Sequence, residues 1–497
     1  MQYSIPTWVT QAVFYQIFPD RFARSARLAK PANLEPWDSE PTTYGYKGGD
    51  LLGVLERLDY LQDLGITAIY FNPIFQSASN HRYHTHDYYQ VDPLLGGNSA
   101  FAELLAECKR RGLRIVLDGV FNHASRGFFQ FNDILENGRF SPWLDWFYVD
   151  LPENDRPINA YDHTQPPGYR AWVGLHALPK FNTDNPQVRE FLMRVGEHWM
   201  RQGIDGWRLD VAAEITTPGF WQEFRRRVRA INPEAYLVAE IWEECPQYLQ
   251  GDQFDAVMNY PLTEALIRFV VGARTRRELV SDLGYRPWPP MDARAFADRV
   301  DALLRLYPWP VQLAQFNLLD SHDTARFLSI ADGDEQSLRL ALLLLMTLPG
   351  VPCIYYGDEI GMTGGRPDAQ ARRSFPWDHP ERWNHALLAF FREAIRLRRA
   401  HPALQTGDFQ RLYADDALYA FARRAPQEHL MVVVNAAADT REALLPLSGL
   451  AADRQPQRLV WGAPISHQPR AEGLLLRLAG RSVVVLAAAS DATEVQR

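Results

Sequence analysis

The chain has 497 residues, 46% of them apolar and 23% charged, which is typical of a folded protein of several domains and excludes a disordered chain or a small disulfide scaffold. Acidic residues outnumber basic ones by 60 to 52, so no basic excess offsets phosphate repulsion and we expect no nucleic-acid partner. The three cysteines, the N-terminus without a leader pattern and the short apolar runs predict a cytoplasmic protein that does not associate with membranes.

Short apolar runs that end in a polar residue alternate with helix-like stretches along most of the chain. Eight such runs predict strands, at 13–18, 67–71, 114–117, 206–209, 236–239, 256–259, 315–319 and 352–356. Between them, helical patterns cover 51–64, 100–111, 186–202, 218–230 and 335–347. Eight alternating units predict an α/β fold of the TIM (β/α)8 barrel type.

Two segments depart from this alternation. The connection between the third and fourth runs is much longer than the others and rich in Asn, Pro, Gly and aromatic residues, which predicts an inserted subdomain at 123–182. The barrel would then comprise residues 1–122 and 183–401, ending with a helix at 384–399. From residue 402 to 497 strand-like runs parted by turn residues predict a C-terminal all-β sandwich domain, with strands at 411–423, 430–435, 443–447 and 482–488.

A polar residue stands at or just after the end of every predicted barrel strand. These residues are Asp20, Asn72, Asp118, Asp210, Glu240, Asn259, Asp320 and Asp358. In a (β/α)8 barrel the carboxyl ends of the strands form the rim that carries the active site. Four of these positions belong to longer polar clusters, at 118–123, 206–210, 240–243 and 320–323. One such residue would be explained as a helix cap, but four clusters on four strands predict a functional site.

The carboxyl groups of these clusters suit the cleavage of glycosidic bonds, which needs one protonated and one ionised carboxyl group. Arg208 and Asp210 leave the same face of a strand, so we expect the cation to keep Asp210 ionised as a nucleophile. Glu240 lies between the apolar run 236–239 and Trp242, surroundings that disfavour a carboxylate, and is therefore the candidate general acid.

The four clusters resemble the four ordered sequence regions of the α-amylase superfamily, glycoside hydrolase family 13. The segments 178–182, 206–214, 239–242 and 251–261 are most similar to its cyclomaltodextrinase, neopullulanase and maltogenic amylase branch. The resemblance runs from about residue 8 to the C-terminus. It implies a retaining hydrolase that cleaves α-1,4 or α-1,6 glucosidic bonds of maltooligosaccharides, cyclodextrins or pullulan through a covalent glycosyl-enzyme.

The resemblance also implies roles for individual residues. Asp210 is the nucleophile, Glu240 the general acid/base, and Asp323 the residue that holds and distorts the sugar. The implied substrate-binding residues are Tyr83, Asp118, His123, Arg208, Trp242, His322 and Arg326. No cofactor is required by this chemistry, and Asn122 is the candidate ligand of a structural Ca²⁺ ion.

Three features depart from the branch. Its members usually carry an added N-terminal β-domain that builds a dimer, whereas here the barrel pattern begins at Trp8, so monomer and homodimer both stay open. The loop after Asp20 carries three arginines and a lysine where related enzymes have the oxygen ligands of Ca²⁺. Ala213 stands where the branch commonly has Asn, which leaves the preferred substrate open.

Alternative functions remain at this point. A transglycosylase or a glucosyltransferase acting on sucrose or maltose would have the same motifs. A non-catalytic carbohydrate-binding or partner subunit would typically have lost one of the three carboxylates, all of which are present. A metal-dependent hydrolase would need converging histidines; the spacing of His81, His84 and His86 does not match such a site and favours a subsite wall around Tyr83.

Overall fold

The computed structural model describes residues 3–150, 158–281, 286–446 and 456–488. Its centre is a sheet of eight parallel strands. The strands are Phe14–Ile17, Ala68–Phe71, Arg114–Gly119, Gly206–Leu209, Tyr236–Ala239, Ala256–Val257, Phe316–Leu318 and Val351–Tyr355. A parallel bridge between Met258 and Phe316 joins the sixth strand to the seventh and closes the barrel. The predicted (β/α)8 barrel is thereby confirmed, with all eight strands within the predicted runs or one or two residues beyond them.

Helices surround the barrel. The α-helices before residue 400 are Pro19–Phe22, Leu51–Leu55, Leu58–Leu64, Gly97–Arg110, Phe129–Asn137, Pro186–Gln202, Phe220–Ile231, Tyr260–Leu266, Ala293–Arg305, Trp309–Ala314, Phe327–Ile330, Glu335–Thr347 and His385–Ala400. Local signals explain their ends: the Asn185 side chain caps the sixth helix by accepting from Gln187 N, and Gly203 ends it at a φ of 106°. The single helix predicted at 51–64 is wrong, because the backbone leaves helical geometry at Arg57 and divides it in two.

The segment between the third and fourth strands stands beside the rim and carries little regular structure besides the helix Phe129–Asn137. Antiparallel bridges hold it together, and the bridge between His123 and Lys180 joins its two ends. Its residues 151–157 lie outside the described part of the chain. The predicted limits of this insert, and of the other domains, stay predictions.

The C-terminal part is antiparallel β-structure after a short helix, Pro402–Thr406. One sheet contains Asp408–Ala414, Leu418–Ala425, Glu428–Asn435, Ser482–Ala488 and Pro456–Trp461, and a second contains Arg441–Pro446, Gly473–Leu478 and Ser466–Arg470. The predicted strand at 411–423 is wrong, because Asp415 Oδ1 accepts from the backbone of Ala417 and Leu418 and forms a turn there. Leu447, the end of another predicted strand, lies outside the described residues.

Two fully buried arginines join the barrel to the C-terminal domain. Arg423 donates to the carbonyl oxygens of Thr347, Gly407 and Asp408 at 2.7, 3.1 and 3.1 Å. Arg398 likewise donates to backbone carbonyls, among them Gly350 O at 2.6 Å. Since buried carbonyl groups need partners, these guanidinium groups stabilise the domain junction.

The three cysteines are free and buried. In the described part of the chain, none of the helices combines the length and the apolar character that crossing a membrane demands.

Replacing Arg423 with Met keeps an apolar stem but leaves three carbonyl groups without their donor. We expect a loss of about 2 kcal/mol in the free energy of unfolding, measured by urea denaturation. The neighbouring Arg424→Met, which removes a surface ion pair with Asp408, is the control and should cost less than about 1 kcal/mol. Equal losses in the two variants would contradict the stabilising role of the buried guanidinium.

Candidate active site

One buried guanidinium, that of Arg208, lies at the centre of the barrel mouth. Its Nη1 is 2.9 Å from Asp118 Oδ1 and 2.7 Å from Asp210 Oδ1, and its Nη2 is 3.0 Å from Glu240 Oε2. The third, fourth and fifth strands lie side by side in register, with Asp118 paired to Arg208 and Arg208 to Val238. Three carboxyl groups that are distant in sequence therefore converge on one cation.

Asp118 is held entirely by protein groups. Its second oxygen, Oδ2, accepts from the hydroxyls of Tyr70 and Tyr83, both at 2.8 Å. Burial raises the pKa of Asp118 to about 6, while Arg208 and the two tyrosines act in the opposite direction. Because both oxygens are occupied, Asp118 lies beneath the site and orients Arg208 and Tyr83.

The pKa of Asp210 departs from the sequence-based expectation. Burial raises it well above the usual value; Arg208 lowers it by less, and the negative charges of Glu240 and Asp118 raise it further. Arg208 opposes this rise without cancelling it, because three buried carboxyl groups share its positive charge, and the ionised state of Asp210 stays a prediction.

Glu240 faces donors rather than the purely apolar surroundings expected from its neighbours in sequence. Val211 N donates to its Oε2 at 2.9 Å and Trp242 Nε1 to its Oε1 at 3.0 Å. The Trp242 ring stacks on Tyr260 with 3.7 Å between centroids. Val211 has a φ of 36°, a strained conformation for a β-branched residue, and this aims its N–H at Glu240. Trp242, predicted to bind substrate, thus fixes the Glu240 carboxyl.

Asp323 lies on the open side of the cluster, with 29% of its side chain exposed. Its Oδ2 is 3.1 Å from His322 Nε2, which is also 2.7 Å from the Tyr83 hydroxyl. The Tyr83 and His322 rings stack nearly parallel, 5.4 Å apart. Burial lowers the pKa of His322 well below its usual value, so the ring is neutral. The structure therefore brings Tyr83, His322 and Asp323 together as predicted.

Sequence reasoning missed several residues of this network. Gln16 Nε2 reaches both Asn72 Oδ1 at 3.0 Å and His322 Nδ1 at 2.9 Å, and Asn72 donates to the Tyr83 hydroxyl. Gln16 was detectable as a polar residue inside an apolar strand. Arg372, which donates to His322 O at 2.8 Å and lies 3.3 Å from Asp323 Oδ1, carried no such signal because it comes from a distant loop.

His123 and Asn122 lie on the side of the inserted segment. The buried His123 ring stacks on Trp172 with centroids 5.2 Å apart, and burial lowers its pKa to about 3. Asn122 Oδ1 is buried and has no hydrogen-bond partner among the described residues. One orphaned oxygen fits a Ca²⁺ ligand but falls short of the six to eight oxygens that this ion takes, so the calcium site stays a prediction.

Arg326 lies outside the network of residues around Arg208 and Asp323. Its guanidinium is fully buried below the rim and contacts Asp358 and backbone carbonyls. The geometry gives no support to its predicted contact with substrate.

The histidines after the second strand do not converge on a common point. The His81 and His84 rings meet edge to face, and burial lowers the pKa of both. Within the described ranges there is no group of three or more His, Cys, Asp or Glu side chains that could hold a metal ion.

A cavity of about 620 Å³ has Arg366 and Arg372 in its wall, and both of these residues contact Asp323. Its lining includes Arg21, Asn80, His81, Arg366, Asp368 and Arg372. It is large enough for sugar units and is lined by the donors and acceptors that hydroxyl groups need.

Residues 16–384 match the family model for the α-amylase catalytic domain, and residues 409–462 that of the neopullulanase-like C-terminal domain. The chain is 43% identical over 434 residues to a cyclomaltodextrinase of Bacillus sp, covering 86% of this chain and 73% of that protein. It is 43% identical over 454 residues to neopullulanase 2 of Thermoactinomyces vulgaris, covering 90% and 73%. The native Nostoc punctiforme debranching enzyme superposes with a TM-score of 0.90 at 52% identity, covering 98% of this chain and 100% of that one.

The buried neutral His123 makes stability depend on pH. Its pKa is about 3 in the folded protein and about 6.5 when unfolded, so the unfolded chain binds one more proton between these values. The contribution of the buried neutral His123 to the free energy of unfolding is therefore fully present above pH 6.5, and it is lost as pH falls from 6.5 toward 3. When pH is lowered from 7.5 to 5.5, the free energy of unfolding should fall by about 1.4 kcal/mol less in His123→Asn than in the wild type. Urea denaturation at the two pH values measures this difference.

The control is His467→Asn, at an exposed position in the C-terminal domain, which should keep the wild-type pH dependence. A wild-type slope in His123→Asn as well would refute the neutral buried state.

Proposed function

The chain belongs to the α-amylase family of glycosidases, which are α-glucan hydrolases, and we propose that it cleaves α-glucosidic bonds with retention through a glycosyl-enzyme on Asp210. The observation that carries this proposal is the shared contact of Asp210 and Glu240 with Arg208. Two carboxyl groups on adjacent nitrogens of one guanidinium are close enough to reach the same anomeric carbon and leaving oxygen. Retaining glycosidases have carboxyl groups about 5–5.5 Å apart, and this spacing suits direct attack rather than attack by an intervening water.

In the first step Asp210 attacks the anomeric carbon while the bond to the leaving oxygen breaks. Glu240 gives its proton to that oxygen, which leaves as a hydroxyl group of the released sugar. Asp210 loses its negative charge in the ester, and Glu240 gains one. Arg208 contacts both groups, so a cation is present wherever the charge resides during the step.

In the second step Glu240 takes a proton from water, and the water oxygen attacks the anomeric carbon of the ester. The bond to Asp210 breaks and restores its carboxylate. Two displacements at one carbon return the starting configuration, so an α-glucan gives an α-anomer first. The N–H groups of Val211 and Trp242 hold Glu240 in one orientation through both steps.

We propose that the Asp323 carboxylate binds the sugar ring. The Asp323 side chain is 29% exposed, whereas those of Asp118 and Arg208 are buried. His322 contacts both Asp323 and the Tyr83 hydroxyl, and His123 lies at the start of the inserted segment. Hydroxyl groups of the ring would be bound by Asp323, His322 and His123.

The substrate class comes from the relatives. Their names are cyclomaltodextrinase, neopullulanase and debranching enzyme. We therefore propose maltooligosaccharides, cyclodextrins and pullulan as substrates, and cleavage of both α-1,4 and α-1,6 bonds. Product analysis on maltoheptaose, β-cyclodextrin, pullulan and sucrose tests this assignment, and cleavage of sucrose alone would contradict it.

Glu240→Gln keeps the shape of the side chain but cannot donate a proton to the leaving oxygen. The rate on maltoheptaose should fall by roughly 10²–10⁴-fold, whereas the first step on an aryl glucoside with a good leaving group should fall much less. Steady-state and burst kinetics on both substrates measure the difference. Glu244→Gln, which perturbs only a surface ion pair with Arg299, is the control. Equal losses on both substrates would reject the acid role.

Chelation should leave the chemistry unchanged, because the proposed nucleophile and proton donor are both side chains of this protein. After dialysis against EDTA, initial rates at low temperature should stay within about twofold of the untreated enzyme. A structural ion at Asn122 would show instead as a lower melting temperature with unchanged initial rates. Loss of activity in the folded, chelated enzyme that Zn²⁺ or Mn²⁺ restores would refute a mechanism based on carboxyl groups alone.

A further inference from the structure

Arg326 lies three residues after Asp323, yet its side chain is fully buried and does not line the cavity. Its Nη1 donates to Tyr356 O at 2.8 Å and Asp358 Oδ1 at 2.9 Å, and its Nε donates to Ala371 O at 3.0 Å. The guanidinium also stacks over the Tyr355 and Tyr356 rings, 4.4 and 4.9 Å from their centroids. It therefore joins the end of the eighth strand to the short helical turn Asp368–Arg372.

The residue after Ala371 is the one that touches Asp323. Arg372 Nε donates to His322 O at 2.8 Å, and its Nη2 lies 3.3 Å from Asp323 Oδ1. Arg326 thus contacts Ala371, and the next residue, Arg372, contacts the backbone of His322 and the carboxylate of Asp323. A shift of the Ala371 carbonyl would move Arg372 relative to Asp323.

The anchor at the other end of Arg326 is rigid. Asp358 is 5% exposed and Asp320 is 2% exposed, and burial raises the pKa of both. Asp320 Oδ2 in turn accepts from Phe327 N at 2.6 Å, the residue after Arg326. The backbone N of Arg326 donates to Gly364 O at 2.9 Å. Since every one of these groups is buried, contacts on several sides restrict the position of the Arg326 side chain.

We propose that Arg326 is a positioning residue for the reaction: it fixes the Ala371–Arg372 segment so that Arg372 holds Asp323 at the angle needed to distort the sugar. The proposal rests on the proposed function of Asp323. Distortion is strongest in the transition state, so misplacement of Asp323 lowers kcat more than it weakens substrate binding. A displacement of about 1 Å is enough to cost roughly 10²-fold in rate.

The first test is Arg326→Lys, which keeps the positive charge but cannot reach both Ala371 O and Asp358. On maltoheptaose we expect kcat to fall roughly 10–100-fold, with KM within about threefold of the wild type. Arg398→Lys is the matched control, because Arg398 is an equally buried arginine that donates only to backbone carbonyls at the domain junction. It should lower the melting temperature and leave kcat unchanged.

The second test is the combination of Arg326→Lys with Arg372→Met. If Arg326 acts through Arg372, the loss in kcat caused by Arg326→Lys should shrink to less than about threefold when Arg372 is already absent. If Arg326→Lys does not fold, Asp358→Asn, which replaces the carboxyl group that accepts from Nη1, takes its place and is judged by the same kcat, KM and coupling criteria.

An unchanged kcat in the folded variant, equal changes in kcat and KM, or a full loss in the Arg372→Met background would each overturn the proposal. The wild-type enzyme tests the proposed function separately: if it does not cleave maltoheptaose, the proposed function fails; if it does and the Arg326 criteria are not met, only the positioning role fails.

Discussion

The shared ion pairs of Arg208 constrain the rest of the site. A buried carboxylate is costly unless it is paired, and here three carboxyl groups share one guanidinium. Only adjacent parallel strands in fixed register can deliver Asp118, Arg208 and Glu240 to one point. The barrel supplies that register, and its close packing extends to Gly206, where a Cβ atom would lie 2.1 Å from Tyr236 O. The chemistry therefore depends on the alignment of the third, fourth and fifth strands.

Around this centre the site is arranged by exposure. Asp118 and Arg208 are buried, Asp210 and Glu240 are each 6% exposed, and the Asp323 side chain is 29% exposed. The proposed nucleophile and proton donor are thus less exposed than Asp323, which His322 and Arg372 contact. The low exposure strengthens the electrostatic interaction between Asp210 and Glu240, so a change of charge on one changes the free energy of the charged form of the other.

Much of this arrangement could be predicted from the sequence, because strand periodicity and polar residues at strand ends are local signals. The eight strands, the positions of Asp210, Glu240 and Asp323, and the contact of Arg208 with Asp210 follow from such patterns. The raised pKa of Asp210 does not, because it depends on Glu240 and Asp118 as well as on its neighbour Arg208. Nor do the contacts of Arg372 and Arg326, which come from loops whose positions depend on tertiary packing.

The proposed mechanism requires a covalent ester between Asp210 and the sugar, and this ester can be trapped. The Glu240→Gln enzyme, incubated with an α-glucosyl fluoride whose leaving group needs no proton, should accumulate the intermediate because hydrolysis lacks its general base. Mass spectrometry of the digested protein should then show the mass of one glucosyl unit on the peptide that contains Asp210. Attachment at another residue, or turnover to an initial β-anomer with no adduct, would contradict the account.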